Sequence, residues 1–160
     1  MTDINLKLQD DLSAIASNNF GEHYLFAVNR NLFQNTDAST VFRSYFDDSL
    51  FQEDSFYIIV GTDSGLLFQY IKAQGIPKGS RYLFLETPEI LSLLELTNSE
   101  QEDLAVTADD DWLNIAENMG IDKFTCMNRL SFFRSLGVTH GHYSQYPQFW
   151  REKKKEFDAY

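Results

Sequence analysis

Phe56–Val60 is an unbroken apolar run of strand length, and Gly61-Thr62-Asp63-Ser64-Gly65 follows it directly. Leu66, Leu67, Tyr70 and Ile71 then recur at helical spacing until Gly75. A strand without polar alternation must be covered on both faces, which parallel α/β sheets achieve with flanking helices. The glycine after the strand permits a tight turn, and the second permits close approach at the start of the helix. This one unit points to a Rossmann-like fold.

The pattern continues downstream. Arg81–Leu85 supplies the next strand, and Thr87-Pro88-Glu89 opens a helix with a capping threonine, a proline in the first turn and an acid at the positive helix end. Ile90, Leu91, Leu94 and Leu96 give that helix its buried stripe. Leu104-Ala105-Val106 is a short strand, and Trp112, Ile115, Ala116 and Met119 mark a helix that Gly120 closes. We expect a fourth strand over Lys123–Met127, then a helix built on Leu130, Phe133 and Leu136 that stops at Gly137, and a further helix over Phe149–Tyr160 after Pro147. The fold class is therefore α/β, a Rossmann-like, mostly parallel sheet with flanking helices and an N-terminal α/β extension.

Residues 1–50 read as an extension packed on the core, 51–139 as the core and 140–160 as an aromatic tail or the start of a linker. Within the extension, Leu8, Leu12 and Ile15 predict a helix ending near Asn18–Gly21. Tyr24–Val28 predicts a strand, and Ser39–Phe46 a helix with Val41, Phe42, Tyr45 and Phe46 on one face. In the tail, Tyr143, Tyr146, Phe149 and Trp150 form an aromatic group whose default fate is burial, with a seam to a further domain or a second subunit as the alternative.

Charge and cysteine usage narrow the partners. A net charge of −11 has the wrong sign for nucleic acid, and the Arg151, Lys153, Lys154, Lys155 run is broken by Glu152 and Glu156, so we expect a solvated helix face there. Single Cys126, the lack of a secretory leader and the lack of a long apolar run point to a cytoplasmic protein with no membrane span.

Four residues stand out as a candidate cofactor-binding set: Gly61, Asp63, Gly65 and Glu86. The glycine loop offers helix-terminal amides to an anion, and Glu86 ends the next strand on the side where open α/β sheets bind ligands. The loop reads G-x-x-x-G without the middle glycine of a dinucleotide site, and Asp63 puts negative charge where a pyrophosphate would approach. No triphosphate-binding loop occurs. The alternative for Glu86 is structural capping with Thr87 and Glu89. Asp109, Asp110 and Asp111 diverge around a helix start and read as dipole partners rather than metal ligands, and His140 and His142 lack a third ligand. Cys126, placed in the expected fourth strand, reads as a buried structural thiol. The cofactor stays unknown, and no residue is assigned a catalytic or metal-binding role.

The run Phe56 to Leu67, with Arg81 to Glu89, resembles the N-terminal portion of motility accessory factor proteins, flagellin glycosyltransferases that transfer nonulosonic acids. Gly61 and Gly65 match the outer glycines of that family's loop, Asp63 replaces the middle one, and Glu86 matches its acid, with Pro88 two places late. Asp111-Trp112 is similar to a downstream feature of the family. The resemblance spans residues 50–150 and implies an accessory domain preceding a C-terminal catalytic domain. Two alternatives are carried: an S-adenosylmethionine-dependent methyltransferase, with Gly61, Gly65 and Glu86 around the cofactor, and a protein-interaction domain without catalysis.

Overall fold

The computed structural model describes residues 11–96, 103–140 and 143–160. Four strands, β3 (Phe56–Val60), β4 (Arg81–Leu85), β5 (Leu104–Thr107) and β6 (Leu130–Arg134), form an all-parallel sheet in the order β5-β4-β3-β6. The order reverses direction at β3: the chain walks outward to β5, then crosses back to place β6 on the other side. That is the topological switch point of a Rossmann-like sheet, and its carboxyl-end crevice lies between β3 and β6. The register is direct, with Val60 opposite both Leu85 and Arg134.

Alternate residues of each strand feed two cores. Tyr57, Ile59, Tyr82, Phe84 and Val106 face one side, against Phe42 and Phe46 of α2 (Ala38–Phe46) and Leu67 and Ile71 of α3 (Leu66–Gln74). Phe56, Ile58, Val60, Leu83 and Leu85 face the other. There they meet Ile90 of α4 (Pro88–Leu94), Trp112 and Ala116 of α5 (Trp112–Asn118), Phe124 of α6 (Ile121–Cys126) and Tyr146 of α8 (Tyr146–Ala159). All five β3 residues are buried, as a central strand covered on both faces requires. Among the described residues no helix is long and apolar enough to cross a membrane.

The expected β3, α3, β4, α4, β5 and α5 are present, with Thr87 capping α4 through the Ile90 amide. Three expectations fail. Lys123–Met127 is not a strand: Ile121 and Phe124 put a helical face into the core, and Asn128 at φ 56 turns the chain out of α6. The fourth strand is instead Leu130–Arg134, the segment assigned above to a helix, and α7 (Leu136–His140) follows it and contains Gly137 rather than stopping there. Cys126 consequently sits exposed at the end of a helix and is not a buried structural thiol.

The N-terminal region also differs. Ile15–Ser17 is a strand, β1, paired antiparallel with β2 (His23–Leu25), so no helix runs through Leu12 and Ile15; Leu8 lies outside the described residues. The Asn18–Gly21 segment is the hairpin loop, organised by the Asn18 side chain, which accepts from the Phe20 and Glu22 amides. The expected strand Tyr24–Val28 stops at Leu25, and Phe26–Asn29 forms one helical turn, α1. Phe33, Phe42 and Tyr24 then carry this region into the core through edge-on ring contacts.

Candidate functional site

The carboxyl ends of β3, β4 and β6 converge on a cluster of polar side chains that are almost all fully buried. Asn29, Thr62, Asp63, Glu86 and Ser135 each have no exposed surface, and Ser64 has very little. The glycine loop creates the cluster by turning sharply. Gly61, Asp63, Ser64 and Gly65 all have positive φ, from 49 for Asp63 to 91 for Gly61. Two consecutive non-glycine residues in the left-handed region persist only where their side chains are firmly held.

Their partners hold them. Asp63 accepts hydrogen bonds from the backbone amides of Leu136 (3.0 Å) and Gly137 (2.7 Å), at the start of α7, and from Asn29 Nδ2 (3.0 Å). Ser64 Oγ donates to Asn29 Oδ1 at 2.5 Å and accepts from the Leu25 amide at 2.9 Å. The two left-handed residues thus tie the loop to β6–α7 on one side and to the β2–α1 corner on the other. Burial pushes the Asp63 carboxyl above its ordinary value, against the opposing pull of the Gly137 and Leu136 amides and of Asn29 and Ser135.

Glu86 is the second node. Its Oε2 accepts from the Thr62 amide (2.8 Å) and Thr62 Oγ1 (2.9 Å), and its Oε1 from the Thr87 amide (3.0 Å). The Tyr146 hydroxyl, from the start of α8, donates to both oxygens at 2.8 and 3.0 Å. Desolvation raises the Glu86 pKa from 4.5 to about 7, opposed by those donors from Thr87, Tyr146 and Thr62. Burial and the neighbouring Glu86 charge together raise the Tyr146 phenol well above its ordinary value. The Glu86 capping role expected from the sequence is present in part, since it receives the Thr87 amide at the head of α4.

The four predicted site residues are therefore close together, but as an internal brace. A Cβ on Gly61 would collide with Ser135 Oγ and lie 2.9 Å from Val138 Cγ2, so bare glycine backbone there accommodates α7. Gly137, in turn, leaves room for Val28: a Cβ there would lie 2.7 Å from Val28 Cγ1. Asn29 of α1 and the Leu136 and Gly137 amides of α7 bond the loop after β3, and Tyr146 bonds Glu86 after β4, so the chain's own groups cover the carboxyl ends of these strands. A hollow of about 270 Å³ beside the head of α4 is lined by Thr87, Pro88, Glu89, Tyr143, Gln148 and Phe149 among others, and by none of Gly61, Asp63, Gly65 or Glu86.

No match identifies the chain. Comparison with known proteins returned no family model, no curated relative and no solved structure that matches it.

Sequence reasoning missed Asn29, Ser135 and the attachment of Tyr146 to Glu86. Asn29 follows the predicted strand and Tyr146 belongs to the aromatic group, and neither carries a local signal for a partner 34 or 60 residues away. The aromatic tail is packed onto the core: Tyr143 and Tyr146 are buried, and the Tyr143 hydroxyl reaches Glu89 at 2.9 Å. The basic run near the end is not uniformly solvated. Lys153 is only 4% exposed, lying over the Phe149 ring and near Asp110 and Glu156, whereas Lys154 pairs with Asp158.

The three aspartates diverge as expected. Asp109 folds back to the Asp111 amide, Asp110 faces Lys153 at 3.8 Å, and Asp111 makes no side-chain cap. No group of metal-ligating side chains occurs among the described residues. His140 is exposed on α7, and His142 lies outside the described residues.

Proposed function

We propose that this chain is a non-catalytic accessory domain of a protein related to flagellin or surface-glycan glycosyltransferases. Its Rossmann-like carboxyl end serves as a structural joint in place of a nucleotide site. One observation carries the non-catalytic part: Asp63 and Glu86, the two acids a cofactor would need to meet, are fully buried and bonded to the chain's own groups. A carboxylate whose oxygens already receive five donor contacts has no lone pair to spare for ribose hydroxyls. The glycosyltransferase relationship rests on the resemblance of Phe56–Leu67, Arg81–Glu89 and Asp111-Trp112.

The same observation weighs against a methyltransferase, because opening the site would break the Asp63 bonds to α7 and the Tyr146 bonds to Glu86 together. The test has two arms. The purified chain, incubated with a nucleotide-activated nonulosonic acid and flagellin, is expected to give neither transfer nor sugar-nucleotide hydrolysis; turnover that Glu86→Ala removes would overturn the non-catalytic reading. The gene is expected among flagellar or surface-glycan genes, and a setting with no such neighbours would overturn the relationship.

A further inference from the structure

An open cleft lies at the opposite end of the sheet from the glycine loop, where β4 begins. It measures about 770 Å³, within the range of small-molecule sites, and is lined by Ile76, Pro77, Lys78, Arg81, Lys123 and Phe124, with Gly79, Ser80, Asp103 and Gly120 completing it. Three cationic residues from three separate elements line it: Lys78 from the loop after α3, Arg81 from the first position of β4 and Lys123 from α6. Asp103 is the one acid in the lining. Asp54 Oδ1 lies against Gly79 at the rim, so the cleft sets three cations against two carboxylates in a chain of 24 acidic and 13 basic residues, which still reverses the overall sign.

The cations are available. Among the described residues none of the three forms an ion pair, although carboxylates outnumber them throughout the chain. Arg81 is held in place from behind by donating through Nη1 to the Met119 carbonyl, which leaves its other donors to a ligand. Gly120 sits beside that guanidinium at φ 85, and a Cβ there would lie 3.6 Å from Arg81 Nη1. The wall is therefore bare backbone next to a positioned fork. Phe124 is almost fully buried and Ile76 and Pro77 half-buried, so they give the cleft an apolar floor.

We propose that this cleft binds a small phosphate-bearing ligand. Arg81 presents a planar fork that matches phosphate oxygens, and Lys78 and Lys123 add mobile charge on either side of it. Asp103 accepts from a hydroxyl of the same ligand, and the Ile76–Pro77–Phe124 surface takes its apolar part. The site is independent of the glycine loop and does not need the crevice beside Gly61 to open.

Titration of the whole chain with inorganic pyrophosphate, followed by amide chemical shifts, tests this. Saturable shifts are expected at Lys78–Arg81 and at Lys123, with little movement at Gly61–Gly65. Lys78→Ala and Lys123→Ala, both at exposed positions, are each expected to weaken binding about tenfold while leaving the spectrum folded. Sodium sulfate and sodium chloride at matched ionic strength serve as controls. Shifts that never saturate, that chloride reproduces, or that both variants leave unchanged would overturn the proposal.

Discussion

Replacing Glu86 by glutamine tests whether the acid is as desolvated as the geometry requires. In the folded chain its pKa rises from 4.5 to about 7 because burial penalises the charged form more than four donor groups reward it. Folding then takes up a proton between those two values, so the unfolded state binds fewer protons than the native one. Stability is fully present below pH 4.5, falls as pH rises through about 7 and is flat beyond. At about 1.36 kcal/mol per pH unit, the whole swing attributable to Glu86 is on the order of 3 kcal/mol. Glutamine keeps the shape but turns one acceptor into a donor facing an amide or the Tyr146 hydroxyl, so the variant is less stable in absolute terms. The informative quantity is the slope. Urea unfolding from pH 4.5 to about pH 8 should show wild type losing on the order of 3 kcal/mol more than Glu86→Gln over that interval. Asp63, also raised by burial, gives the same sign in both proteins and cancels in the difference. Parallel profiles would refute the reasoning, because they would mean that Glu86 ionises freely in the folded chain.

Further perturbations probe the rest of the brace. Tyr146→Phe removes the donor shared by both Glu86 oxygens and should cost about 1–3 kcal/mol by urea unfolding. A loss within about 0.5 kcal/mol of zero would show that α8 is not anchored there. Asp63→Ala strands the buried Leu136 and Gly137 amides and should destabilise by about 2–4 kcal/mol, with the fastest new hydrogen exchange at those two amides. Cys126 should react with a chromogenic disulfide in the native protein within about an order of magnitude of its rate in urea; full protection would contradict its exposed placement.

Legibility of the fold followed the length and purity of each local signal. Phe56–Val60 and Arg81–Leu85 are wholly apolar or nearly so, bounded by glycine and capping residues, and both strands lie where the sequence places them. The segment from Gly120 to Gly137 was misread because its elements are short. Leu130 and Phe133 are three apart, which suits a helix, yet Leu130–Arg134 pairs residue by residue with Phe56–Val60. Asn128, a residue tolerant of left-handed backbone, was the overlooked marker of the turn between α6 and β6. Phe26–Asn29 was misread for a different reason: the chain leaves the strand so that Asn29 can reach Asp63 and Ser64, a tertiary demand that local propensity does not register. The candidate site was legible as a set of neighbours, whereas the inward bonding of Asp63 to Asn29, Leu136 and Gly137 was not. Its partners came from Leu25–Asn29, Leu136–Gly137 and Tyr146, brought together only by the completed sheet.

The central claim is that the carboxyl-end crevice is closed by the chain itself. The most direct measurement is amide chemical-shift mapping of Gly61, Thr62, Gly65 and Thr87 during titration with NAD and with S-adenosylmethionine. With Lys78→Ala and Lys123→Ala combined to silence the cleft at the other end of the sheet, these four amides should stay in place to millimolar ligand. Saturable movement of all four, lost in Glu86→Ala, would show that the crevice opens and binds, and would contradict the account.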